Sequence, residues 1–257
     1  MFTKEHTWVI CAYGESEYLE SCIQSLKSQD LHSQIICYSS TPLESIQGLC
    51  RAYDIPFFTS DGGGIGKDWN AAMSCTQTRF VTIAHQDDIY EPDYLHKILD
   101  KMDSSSLIAF SDYVEEKQGI RIPANLNLKI KRMMLGTLAM FPFSRFWRNR
   151  VLSLGNPICC PAVTYNRELL ADFVFDEQMK VSLDWYAWYQ ISQYDGKFTY
   201  LPEKLMCHRI HQDSETSKTI ADQSRTKEDL FMYSLFWPKW IATIINKFYA
   251  YSQKSND

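Results

Sequence analysis

The sequence predicts an α/β fold: a mainly parallel sheet flanked by helices, with a helical or irregular insertion and a C-terminal helix. Three observations predict it. Short apolar runs alternate with amphipathic stretches through the first 60 residues. A further apolar run, Phe80–Ala84, breaks abruptly into His85-Gln86-Asp87-Asp88. The alternation is then interrupted by a basic, aromatic segment that contains no carboxylate. Strand–helix alternation implies parallel pairing, because each crossover helix returns the chain to the same edge of the sheet.

Trp8–Tyr13 is a continuous apolar run, as expected of a strand covered on both faces. Residues 14–17 turn the chain, and Tyr18, Leu19, Cys22, Ile23 and Leu26 then recur at helical spacing. Gln34–Tyr38 predicts a second strand, residues 39–42 a turn, and Leu43, Ile46, Leu49 and Cys50 the apolar stripe of a second helix. Ile55–Thr59 predicts a short third strand. Asp61-Gly62-Gly63-Gly64-Ile65-Gly66 leads into a helix that begins near Lys67. A glycine loop before a helix N-terminus suits an anion, since free N–H groups and the helix dipole point at it. Lys67 would add a point charge. The run matches neither the Walker nor the dinucleotide fingerprint, and a surface loop is the alternative.

Asp87 and Asp88 end an apolar strand, at the carboxyl edge where open α/β sheets bind ligands. Adjacent carboxylates repel unless they are solvated, protonated or neutralised by a cation. Such oxygen ligands suit Mg²⁺ or Mn²⁺, which binds through one or two carboxylates plus substrate phosphates. The alternative is an acidic turn capping the next helix, whose stripe is Tyr94, Leu95, Ile98 and Leu99. Leu107–Tyr113 predicts another strand, with Ser111-Asp112 read as a structural turn. Val181–Gln193 sets Asp184 among Trp185, Trp188 and Tyr189. Phe198–Pro202 is the last strand-like run and leads to His208-Arg209-Ile210-His211. Pro238 opens a C-terminal helix that caps the core or lies on a membrane, and residues 252–257 are expected to be disordered.

A chain of 257 residues fits one large domain with an appended lobe: residues 1–220, and a helical tail at 221–257. Eight cysteines without a Cys-x-x-Cys pair point to reduced thiols and a cytoplasmic protein. The sequence has neither a secretory pattern nor a run of membrane-spanning length. The net charge of −5 conceals an asymmetry: residues 118–167 hold eight Lys and Arg and no Asp or Glu, so the remainder carries −13. In that segment Lys129, Lys131, Arg132, Arg145, Arg148 and Arg150 interleave with Phe141, Phe143, Phe146 and Trp147. The composition suits an anionic membrane surface or a lipid diphosphate, a lid over an acceptor site, or core residues with arginines reaching outward. Nucleic acid is not indicated, because the chain is acidic and carries no recognised module.

Taken together, the strand ending in Asp-Asp, the Pro-Asp-x-Leu after it and the opening Trp8–Leu19 resemble glycosyltransferase family 2, enzymes of GT-A fold that use nucleotide-sugar donors. The likeness is clearest over residues 7–99 and returns more loosely at 181–217. It implies a metal-dependent, inverting transfer of a sugar, by default from a UDP-sugar, to a glycan or lipid-linked acceptor in surface polysaccharide synthesis. It implies Asp184 as catalytic base. The implied donor site holds Ala12, Tyr13, Ser40, Gly64, Gly66, Lys67, Asn70, Asp87 and Arg209, and Asp87, Asp88 and His211 are the implied ligands of Mg²⁺ or Mn²⁺. Peripheral contact with the inner face of an anionic plasma membrane is the accompanying expectation. Four positions depart from the pattern. Ser39-Ser40-Thr41-Pro42 stands where a base-reading acid is usual, Trp69 where an Arg is, His85 where the first metal-motif acid is, and Leu183 where a Glu precedes the base. These departures favour, as the alternative, a catalytically silent nucleotide-sugar-binding or scaffold protein on the same fold. A nucleotidyltransferase ranks third, because the loop after the first strand is acidic.

Overall fold

The computed structural model describes residues 1–211 and 224–254. The boundary expected at 220/221 therefore lies outside the described residues. In chain order the elements begin with β1 (Phe2–Ala12), α1 (Leu19–Lys27), β2 (His32–Ser39), α2 (Glu44–Ala52), β3 (Phe57–Phe58), α3 (Ile65–Ser74) and β4 (Phe80–His85). They continue with β5 (Ile89–Tyr90), α4 (Tyr94–Lys101), β6 (Ser106–Lys117), β7 (Ile120–Ile122), α5 (Leu126–Met140) and α6 (Arg145–Leu152). A short 3-10 turn, Cys160–Ala162, runs into β8 (Val163–Asn166), followed by α7 (Leu183–Ile191) and β9 (Lys197–Ile210). The last two helices are α8 (Ser224–Phe236) and α9 (Lys239–Lys254). Of the tail expected to be disordered, 252–254 continue α9 and 255–257 lie outside the described residues.

One sheet runs in the order β3-β2-β1-β4-β8-β6-β9-β5, with β7 paired to β6. β1 pairs in parallel with β2 and β4, and β6 with β9, while β8 lies reversed between β4 and β6. The carboxyl ends of β1, β2 and β4 thus share one edge. Because successive side chains on a strand face opposite ways, β1 feeds two cores. Trp8 and Ile10 pack with α1, α2 and α4, and Val9 packs with the layer built from α3 and α5–α9. Trp185 and Trp188 are fully buried in that second layer, where the Trp185 indole donates to the Leu152 carbonyl at 3.0 Å. The two tryptophans beside Asp184 in the sequence are therefore core.

Three strands run further than sequence patterning indicates: β1 already begins at Phe2, and β6 and β9 extend at their carboxyl ends. β6 passes through Asp112, which is no turn: its carboxylate is buried and takes an ion pair from Arg132 on α5 at 2.7 Å. β9 extends to Ile210, with a register shift against β6 at Asp112. Part of the basic block has partners, at the surface and in the core. Arg121 pairs with Glu91 at 2.6 Å and Arg145 with Asp195 at 2.7 Å. The Arg148 side chain is buried, donating to the carbonyls of Gly196 and Tyr194 at 2.8 and 3.1 Å and stacking on Phe198.

Candidate functional site

At the edge formed by β1, β2 and β4, the two carboxylates of the Asp87-Asp88 pair part ways. Asp87 turns outward: its Oδ1 accepts from Ser16 Oγ at 3.0 Å, and its Oδ2 lies 3.2 Å from Nε2 of His211, just past β9. The His211 ring packs against Tyr18 at 5.0 Å between centroids. Asp88 turns inward and is buried. Its Oδ1 accepts from His208 Nδ1 and from the Arg209 backbone N–H, both at 3.0 Å, and its Oδ2 has no hydrogen-bond partner among the described residues. Burial alone would lower the His208 pKa, but the charge and hydrogen bond of Asp88 outweigh it and the net shift is upward. A tight turn, closed by Asp88 N–H to the His85 carbonyl at 3.2 Å, produces this division by aiming consecutive side chains to opposite sides.

Arg209 joins the same corner. Its guanidinium donates to Glu116 Oε1 at 3.0 Å, Ser21 Oγ at 2.7 Å and the Asp87 carbonyl at 3.3 Å, and it stacks on Tyr18. Gln86, between the two ends of the metal motif, grips the backbone of Tyr13: it accepts from the Tyr13 N–H at 3.1 Å and donates to its carbonyl at 2.9 Å. Ala12 is buried, whereas Tyr13 is 60% exposed. Gly14, at φ +63°, donates to Thr41 Oγ1 at 2.8 Å and ties the β1 loop to the β2 loop.

Asp87 and His211 form a mixed oxygen and nitrogen pair, which suits Mn²⁺ or Mg²⁺ with its remaining positions left to water and phosphate oxygens. Among the described residues no three His, Cys, Asp or Glu side chains converge to enclose an ion. The donor set therefore fits a metal shared with a substrate and not a closed structural site. The third expected ligand, Asp88, faces the sheet interior.

Across β2, Ser40 Oγ donates to Asp68 Oδ2 at 2.7 Å, while Asp68 Oδ1 is buried without a hydrogen-bond partner among the described residues. Burial raises the Asp68 pKa against the opposing effects of Ser40 and Lys67. The glycine loop folds over this pair so closely that a Cβ on Gly62 would come within 2.9 Å of Ser40 Cβ. Gly64, at φ +115°, precedes the first turn of α3, and Lys67 Nζ donates to the Gly62 carbonyl at 3.1 Å. Two members of the expected donor set are occupied elsewhere. Gly66 is buried against the Asp176 backbone, where a Cβ would meet the carbonyl oxygen at 2.2 Å. The Asn70 amide closes a two-way bond with the Phe175 backbone, accepting at 2.8 Å and donating at 2.9 Å. Both hold the 175–177 segment against α3.

Asp184 lies in the first turn of α7. Its Oδ1 accepts from the Trp185 N–H and its Oδ2 from the Asn156 amide, each at 2.7 Å. Burial raises its pKa, opposed by these two donors and by the charges of Lys131 and Arg225. Burial pushes the Cys159 thiol well above its ordinary range, and the charges of Asp88 and Asp184 act in the same direction. Asn156 and Asp68 escaped the sequence reading. Asn156 shows there only as a residue between Gly and Pro, and Asp68 only as a neighbour of the displaced Arg position.

A family model described as Glycosyl transferase family 2 matches residues 7–173. No curated protein sequence matches the chain. Among solved structures, S. aureus TarS 1–349 in complex with UDP-GlcNAc is 16% identical with a TM-score of 0.64, covering 83% of this chain and 60% of that one. The same S. aureus fragment in complex with UDP is 14% identical with a TM-score of 0.61, covering 94% and 69%. The mannosyltransferase PcManGT from Pyrobaculum calidifontis, in complex with GDP-Man and Mn²⁺, is 14% identical with a TM-score of 0.64, covering 96% and 69%. At these identities the likeness is one of fold, and the chain spans 60% of the length of the first of these structures.

Proposed function

This chain belongs to glycosyl transferase family 2, and from that premise we propose that it is a metal-dependent, inverting transferase moving a sugar from a nucleotide-sugar donor to a glycan or lipid-linked acceptor. The observation that carries the reading is the outward Asp87, held by Ser16 and His211 at the sheet edge, together with a second, half-buried carboxylate, Asp184, that is fixed by Asn156. Asp87 and His211 would hold Mg²⁺ or Mn²⁺, whose charge neutralises the leaving diphosphate. Asp184 Oδ2 takes the proton from the acceptor hydroxyl while that oxygen bonds to the anomeric carbon and the bond to the diphosphate breaks on the opposite face. Asn156 orients the carboxylate, and its raised pKa makes it a stronger base. Asp88 and Arg209 act one step back, fixing the turn that presents Asp87.

For the donor, Asp68, which α3 brings to Ser40, would stand in for the acid missing from residues 39–42. A carboxylate there accepts the ring N–H of uracil, thymine or guanine and repels cytosine, whose ring nitrogen is itself an acceptor. Ser40 and Asp68 stand two strand spacings, about 10 Å, along the edge from Asp87, a distance that a nucleoside diphosphate spans. The TarS and PcManGT complexes with UDP-GlcNAc and GDP-Man are compatible with either base class. A UDP-sugar is the default donor.

On the acceptor side, α5 turns Leu126, Ile130, Met133 and Met140 outward at helical spacing, and Phe141, Phe143 and Phe146 are exposed beyond it. Lys129 and Arg150 are exposed among them. This surface suits peripheral contact with an anionic membrane carrying a lipid-linked acceptor of surface polysaccharide synthesis. Among the described residues no helix is long and apolar enough to cross a membrane.

The test is a thermal-shift screen of UDP-, GDP-, CMP- and dTDP-sugars with and without Mn²⁺. Metal-dependent stabilisation by one donor that disappears in Asp87→Ala is the expected result. No shift with any donor would overturn the reading.

A further inference from the structure

The C-terminal helix α8 is more than a cap on the core. Glu228, half-buried on α8, accepts three consecutive backbone N–H groups, from Lys180 at 3.0 Å, Val181 at 2.8 Å and Ser182 at 2.9 Å. These are the residues that lead into α7, whose first turn carries Asp184. The neighbouring Asp229 accepts from Ser182 Oγ at 2.9 Å. Ser182 occupies the N-cap position of α7, yet its side chain caps nothing within its own helix and is spent on α8. A helix normally leaves its first N–H groups to its own cap or to water. Here the approach to the helix is held by a carboxylate more than forty residues away in sequence. Below this contact Tyr233 of α8 packs edge-on against Trp185 at 5.0 Å, so the two helices are joined on both sides of the Asp184 turn.

The arrangement has a directional logic. Asp184 is tied to Asn156 on one side and to its own helix through the Trp185 N–H on the other. If the 180–182 segment moves, the first turn of α7 moves with it, and the Asn156 bond at 2.7 Å cannot be kept. A negative charge at this helix entrance is also favoured by the helix dipole. We infer that Glu228 is a positioning residue for the catalytic carboxylate, a latch that fixes the first turn of α7 from α8. The inference rests on the proposed role of Asp184 as base.

The experiment compares Glu228→Gln, Glu228→Asp and Asp184→Asn in the full chain, measuring kcat, the donor KM and backbone hydrogen exchange. In Glu228→Gln an amide NH₂ replaces one accepting oxygen. Faster exchange confined to residues 180–186 is expected, with kcat lowered by roughly 10- to 100-fold, as for a reacting group displaced by about 1 Å. The donor KM should stay unchanged, since Asp87 and His211 are untouched. Glu228→Asp, which keeps the charge at shorter reach, should recover part of kcat. A folded Glu228→Gln protein with raised donor KM and faster exchange throughout the chain would show a general structural role, and that result overturns the positioning role. So does wild-type kcat in Glu228→Gln when Asp184→Asn is inactive. If Asp184→Asn retains activity, the base assignment itself has failed, whatever Glu228 does. Should Glu228→Gln not fold, Glu228→Asp alone decides: a fall in kcat at constant donor KM supports the latch, and unchanged kcat removes it.

Discussion

Replacing Asp184 with Asn is the most direct perturbation of the proposed chemistry. The carboxylate accepts two hydrogen bonds through different oxygens, from Trp185 and from Asn156. In Asp184→Asn only one of these acceptors survives, and the NH₂ faces a donor. The lost bond costs about 1–3 kcal/mol, offset in part because a buried charge is also removed. The chain should therefore fold, with its melting temperature little changed. Activity should not survive: a general base contributes roughly 10²–10⁴-fold, equivalent to about 3–5 kcal/mol of barrier. The assay is initial rate against acceptor concentration at saturating donor, from pH 4 upward. Burial raises the Asp184 pKa, so the protonated, inactive form persists above the ordinary carboxylate range. The acidic limb of the wild-type profile should lie correspondingly high. Asn156 donates to the charged form and holds the pKa down, so Asn156→Ala should move that limb to higher pH while leaving a measurable plateau. Turnover by Asp184→Asn within a few-fold of wild type, or an acidic limb that moves downward in Asn156→Ala, would falsify the assignment.

Further outcomes follow from other parts of the molecule. Asp68→Asn should weaken binding of uridine, thymidine or guanosine diphosphate donors by about tenfold or more, while leaving the protein as stable or more so, because a buried oxygen without a partner is replaced by a neutral group; calorimetric titration beside a melting curve separates the two effects. Gly66→Ala should destabilise by at least 1–3 kcal/mol, since its Cβ would collide with the Asp176 carbonyl; an unchanged denaturant midpoint would mean that the 175–177 segment yields freely. Met133→Glu with Phe146→Glu should abolish sedimentation with phosphatidylglycerol vesicles at low salt without changing turnover on a soluble acceptor. Failure of the wild-type protein to sediment would remove the membrane contact.

Much of the left half of the sheet was legible in the sequence because its signals are local. β1, β2 and β4 each contain a short apolar run, and α1, α2 and α4 carry their stripes at regular spacing. The carboxylate pair after β4 was legible for the same reason: a strand that stops in carboxylates is a local event. What escaped depends on partners distant in sequence. Asp112 continues a strand only because Arg132 reaches it from α5. Asp88 reads as a ligand beside Asp87, and only the late arrival of β9 turns it inward. Asn70 has the form of a donor contact until Phe175, 105 residues later, takes both ends of its amide. The basic block drew attention by its composition, yet arginines such as Arg148 spend their charge on internal carbonyls, which composition cannot reveal.

The Arg209 guanidinium gathers Ser21 of α1, the Asp87 carbonyl after β4 and Glu116 of β6 at one point, with His208 and His211 on either side of it in the chain. This has a temporal consequence for a chain made from its N-terminus. By the time β8 has emerged, β1–β4 can already pair and bury their faces, but the turn bearing Asp87 still lacks its arginine anchor, its imidazole neighbour and the strand that draws Asp88 inside. A ribosome-bound chain of that length would have a sheet without a working edge. If the proposed donor site is right, competence to hold a donor is acquired only when β9 docks, and a nascent chain stalled before residue 209 should be stable to protease over its first strands while remaining blind to nucleotide sugar.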